Sequence, residues 1–103
     1  MPWGGWINDL PTAFFMVVHI AAFALGAGFA WAAFKRELSV LGTAFSLFAV
    51  AELTYMTYHL DWTVFLFAHT IAEVFDLVAF VLVFAAAVWH VADARRPVLE
   101  SSR

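Results

Sequence analysis

Three long apolar runs separated by almost nothing dominate this chain. Residues 11–34, 38–60 and 62–92 each reach or exceed the roughly 20 residues that a helix needs to cross the hydrocarbon core of a bilayer. Where no water is at hand, every backbone N–H and C=O must be satisfied within its own segment, so such runs are helices. Lys35, Arg36 and Glu37 form the first link and Asp61 the second, and links this short make neighbouring helices antiparallel. The expected fold is a single domain of the all-α integral membrane class, with three transmembrane helices in an antiparallel bundle. Residues 1–10 form an outer interfacial arm. Arg95, Arg96 and Pro97 should stop the last helix, leaving residues 93–103 as a short polar tail.

The composition fits that class and removes several others. A chain that is 65% hydrophobic and only 13% charged lies outside the range of soluble domains. Its five basic residues and net charge of −3 argue against nucleic acid as a partner. There is no cysteine, so disulfides, thiolate metal sites and a catalytic thiol are excluded. The first apolar run is long enough to span and has no basic residue ahead of it. It therefore reads as a membrane helix rather than a cleaved leader, and the mature chain is expected to begin at Met1 or Pro2.

Lys and Arg set the orientation. Lys35 and Arg36 occupy the first link and Arg95, Arg96 and Arg103 the tail, whereas the N-terminal arm and the second link carry none. By the positive-inside rule the N-terminus is outside and the C-terminus cytoplasmic, in the cell (inner) membrane. The tryptophans agree: Trp3, Trp6 and Trp62 fall at the outer boundary, and Trp31 and Trp89 near the inner one.

Polar residues inside the spans then mark a site. His19, Glu52 and His69 each lie eight positions from the outer end of their run, about 12 Å deep at 1.5 Å per residue. Glu73 and Asp76 follow His69 at i+4 and i+7 on one helical stripe and reach the bilayer centre. Each carboxylate at that depth costs about 2.5 to 3.5 kcal/mol on the insertion scale. No Lys or Arg lies inside any span to offset the cost. The acids must therefore be protonated, face water, or be neutralised by a bound cation.

Three functions follow. The first is an intramembrane site for a metal ion or redox cofactor, in a subunit of a larger respiratory or oxidoreductase complex. Metal ligands would be His19, Glu52, His69, Glu73 and Asp76, a nitrogen and oxygen set suited to iron, copper, manganese or zinc. Haem b, with His19 and His69 as axial ligands, ranks below a metal ion, because the outer half has no basic residue for the propionates. The second is a proton- or cation-relay component of a transporter or pump, the relay descending through Asp61, His59, Tyr55, Glu52, His69, Glu73 and Asp76. It stops there, because Leu77 to Val88 contains no titratable group. The third is a purely structural accessory subunit, packed through the small-residue face of Ala22, Gly26 and Ala30. Partners in each case are the lipid bilayer and other membrane subunits or further copies of the chain.

Bland readings stand beside these. His59 and His90, at the boundaries, read first as interfacial side chains, and Tyr55 and Tyr58 as belt or packing residues. Ser39, Thr43 and Ser46 lie away from the histidines, so no nucleophile, base and orienter set is visible. Whether the chain is itself an enzyme is left open by its residues.

Overall fold

A computed structural model describes residues 3–101. A 3₁₀ turn over Gly5–Asp9 leads into α1 (Thr12–Lys35), α2 (Ser39–His59) and α3 (Phe65–Ser101). Each helix contains a stretch long and apolar enough to cross a membrane: Thr12–Lys35, Ser39–His59 and Phe65–Arg95. Pro11 precedes α1 in extended backbone, with φ −69° and ψ 152°. It lacks an N–H, and none is required of it at a helix start.

Both links close in the same way. At the end of α1, the Leu38 N–H donates to the Ala33 carbonyl at 2.9 Å and the Glu37 N–H to the Phe34 carbonyl at 3.0 Å. At the end of α2, the Trp62 N–H donates to Thr57 at 2.9 Å and the Asp61 N–H to Tyr58 at 3.0 Å. These paired bonds are Schellman closures, which satisfy the orphan carbonyls of a helix end by turning one residue left-handed. Glu37 (φ 62°) and Asp61 (φ 63°) are the residues turned.

The third helix departs from expectation at both ends. It starts at Phe65 rather than Trp62, because the Schellman turn consumes Asp61 and Trp62 and the chain needs Thr63 and Val64 to re-enter helix. Its continuation to Ser101 carries it through Arg95, Arg96 and Pro97, so the separate tail expected from residue 93 is not seen. A proline removes one amide donor, a loss that a helix tolerates when the bonds on either side persist.

The packing order is α1, α2, α3, with α2 in the middle. No Cα of α1 comes within 8 Å of one of α3 among the described residues. The residues that close the two interfaces are small: Gly26, Ala30 and Ala33 on α1, Gly42, Ala44, Ala49 and Ala51 on α2, and Ala68, Ala72 and Ala79 on α3. Gly26 sits so close to α2 that a Cβ there would lie 2.8 Å from the Phe48 ring and 3.5 Å from the Ala49 Cα. The expected Ala22, Gly26, Ala30 face is therefore in use, with Gly26 and Ala30 buried. Large side chains such as Phe29, Phe67, Phe80 and Phe84 remain exposed. In lipid they gain nothing by pairing with one another, so nothing draws α1 onto α3. A groove is left between those two helices, floored by α2.

Candidate functional site

The α2 helix organises the site. Its Glu52, Tyr55 and His59, at i, i+3 and i+7, form one stripe. Glu52 meets α1, where the His19 Nδ1 and Glu52 Oε2 are 2.6 Å apart with both side chains mostly buried. The contact is a hydrogen bond between imidazole and carboxyl, whose direction depends on the histidine tautomer.

Tyr55 meets α3. Its hydroxyl donates to the Glu73 Oε1 at 3.2 Å and lies 3.5 Å from the His69 Nδ1. A phenol has one proton to give, so with Glu73 as its acceptor the contact to His69 requires Nδ1–H as donor. Tyr55 also stacks on His19, with centroids 5.3 Å apart and planes 16° from parallel. It thus stands between a His–Glu pair on one side and a His–Glu pair on the other.

Aromatic rings enclose the side of this arrangement nearer the second link. His59 stacks on Phe15 at 4.9 Å and lies 5.1 Å from the His19 ring, and Phe65 stacks on His69 at 5.2 Å. A further threonine pair, Thr57 and Thr63 with hydroxyls 2.9 Å apart, ties the end of α2 to the second link.

Asp76 lies one turn further along α3 than Glu73. Its Oδ1 is buried and has no hydrogen-bond partner among the described residues. It also borders an apolar cleft of about 480 Å³ in the part of the groove nearer the first link, lined from α1 by Ala22, Gly26 and Phe29 and from α3 by Ala79 and Phe80.

Of the residues singled out in the sequence, His19, Glu52, His69 and Glu73 are gathered around Tyr55, with Asp76 just below. They do not converge on a single point. Among the described residues, no group of three or more His, Asp or Glu side chains is arranged to hold a metal ion. His90 lies apart, in a separate cleft of about 600 Å³ with Glu37, Ser39, Trp89 and Asp93. Two residues were undervalued by the sequence reading. Tyr55 is the hub rather than a belt residue, and His59 is part of the ring cluster rather than a loose boundary side chain. Their shared stripe with Glu52 is the signal that points to them.

No family model, no curated protein and no solved structure matches this chain.

Proposed function

We propose that this protein is a small membrane subunit whose outer-half cluster takes up and passes protons, as part of a larger respiratory or oxidoreductase assembly in the cell (inner) membrane. The observation that carries this reading is Tyr55, hydrogen-bonded to Glu73, within reach of His69 and stacked on the His19 of a 2.6 Å His–Glu pair. Imidazole, phenol and carboxyl groups can each release a proton on one side and regain one on the other, which is what a relay requires.

The proposed topology is antiparallel, with the N-terminus outside and the C-terminus in the cytoplasm. Support for the packing comes from paired positions that run in opposite directions along α1 and α2: His19 with Glu52, Gly26 with Phe48, Phe34 with Gly42. Support for the orientation comes from the basic residues of the first link and the C-terminal end. On this topology protons enter from the outside and reach Asp76.

The test is hydrogen–deuterium exchange of the carboxyl groups within the spans, followed by infrared spectroscopy on the protein in lipid nanodiscs. Tyr55→Phe removes only the hydroxyl. It should slow exchange at Glu73 and Asp76 by about tenfold or more, the low end of what positioned proton-transfer groups contribute. Unchanged exchange in a normally folded Tyr55→Phe variant would overturn the relay.

A second reading, a metal ion or redox cofactor held by His19, Glu52, His69, Glu73 and Asp76, is favoured by one feature. Two nitrogen and two oxygen donors already surround one phenol, and small rotations could turn them on an ion. Metal analysis by mass spectrometry decides it: stoichiometric metal in the wild type, lost in both His69→Ala and Glu73→Gln, would establish that site. With no metal in the wild type, this reading is withdrawn for the isolated chain.

A further inference from the structure

The groove between α1 and α3 has an unmet chemical demand. Glu73, one turn before Asp76 on α3, is exposed, and Asp76 in the groove wall keeps one carboxyl oxygen buried without a partner among the described residues. Glu52 is paired with His19 and Glu73 accepts from the Tyr55 hydroxyl, so the demand centres on Asp76. The positions between Pro11 and Phe34, Leu38 and Leu60, and Phe65 and Ala94 contain no Lys or Arg. Hydrocarbon covering this groove would leave the demand unanswered, because ionisable groups at membrane depth persist when they pair with one another or with a cation.

The demand is also extended. From Asp76 to Val83, the two ends of its α3 lining, the cleft follows α3 for about 10 Å at 1.5 Å per residue. The cleft is walled by Ala22, Leu25 and Phe29 of α1 and by Phe80 and Val83 of α3, side chains that stay at least partly exposed to an occupant. An occupant of that length at that depth has to satisfy its own backbone, and is therefore a helix. A second copy of this chain would bring the same acids and no mid-membrane cation, so charge complementarity selects a different molecule.

We propose that the groove between α1 and α3 receives a transmembrane helix of a partner subunit that carries a Lys or Arg at the depth of Asp76. The inference uses the acids and the open groove, and does not depend on their passing protons. The cationic side chain reaches Asp76 and Glu73, and the rest of the helix covers Ala22, Leu25, Phe29 and Phe80.

The probe is a synthetic Leu/Ala transmembrane peptide with one Lys at the matching depth, set against the same peptide with Leu in that place. Binding to the full-length, fluorescently labelled chain is read by energy transfer in phosphatidylcholine vesicles. The Lys peptide is expected to bind at least about tenfold tighter, equivalent to about 1.4 kcal/mol. Asp76→Asn should remove most of that preference and Glu73→Gln part of it. The peptide exchange needs no change in the protein, so the comparison survives if Asp76→Asn fails to fold. Equal binding of the two peptides, or binding of neither, overturns the proposal. So does self-association of the chain that Ala22→Phe abolishes while the Lys peptide stays unbound, because the groove would then belong to a second copy. Carboxyl exchange kinetics measured without peptide report on the relay alone, so the two proposals fail separately.

Discussion

At the scale of single residues, the pair His19–Glu52 and the turn residue Glu37 make opposite demands on the chain. The pair joins two helices through one hydrogen bond at 2.6 Å, and removing either member strands the other in a mostly buried place. His19→Phe and Glu52→Leu should each lower stability by about 1.5 to 3 kcal/mol, the range for a hydrogen bond to a charged group. The double variant should cost clearly less than the sum of the two, because no unpaired partner remains. Unfolding in bicelles, read as a double-mutant cycle, checks this, and additive losses would mean that the contact carries no energy. Glu37 behaves differently: it is held at φ 62° by the Schellman closure, in a conformation that costs a non-glycine residue about 1 kcal/mol. Glu37→Gly should therefore raise the melting temperature in detergent, and a lowered one would show that the side chain contributes more than the backbone strain removes. The acids were readable in sequence because His69, Glu73 and Asp76 repeat on one stripe of a single helix. Tyr55 was legible only as one point of the stripe it shares with Glu52 and His59, because its place as hub depends on how α2 and α3 register against each other, which neither segment encodes alone.

At the scale of helices, existence was much easier to foresee than ends or contacts. Twenty or more apolar residues force a helix in lipid whatever their order, so all three were visible. The ends depend on turn chemistry: Trp62 looks like the start of a span, yet its amide is spent closing α2. Pro97 looks like a stop, yet α3 continues through it to Ser101. Contacts depend on which small residues meet a neighbour, and glycine shows this directly. Gly26 and Gly28 sit two positions apart on α1, but a Cβ on Gly26 meets Phe48 at 2.8 Å whereas one on Gly28 meets nothing within 4 Å. Gly26→Val should cost about 1 to 3 kcal/mol by overpacking the α1–α2 interface. Gly28→Ala should be neutral or stabilising, by up to about 1 kcal/mol of helix propensity. Thermal unfolding of the two variants side by side tests the α1–α2 register, and equal effects would contradict it.

At the scale of the whole molecule, three helices in sequence with an open groove amount to an unfinished bundle, and orientation decides what the unfinished side can do. The polar cluster lies toward the end of the molecule where the 3₁₀ turn and the second link sit, and the basic residues lie toward the other. If the positive-inside rule holds here, Tyr55 and its neighbours draw protons from outside, and Asp76 marks the deepest point reached from that side. The chain contains no cysteine, so a single introduced thiol reports position without background. Cysteine in place of Gly5 should react with a membrane-impermeant maleimide on intact cells. Cysteine in place of Glu37, in the basic link, should react only after the membrane is opened. The reversed pattern would place the cluster on the cytoplasmic side, and any relay through Tyr55 would then load protons from the cytoplasm. The helix packing, the His19–Glu52 pair and the groove would be untouched, because they depend on contacts within the chain rather than on which side of the membrane it faces.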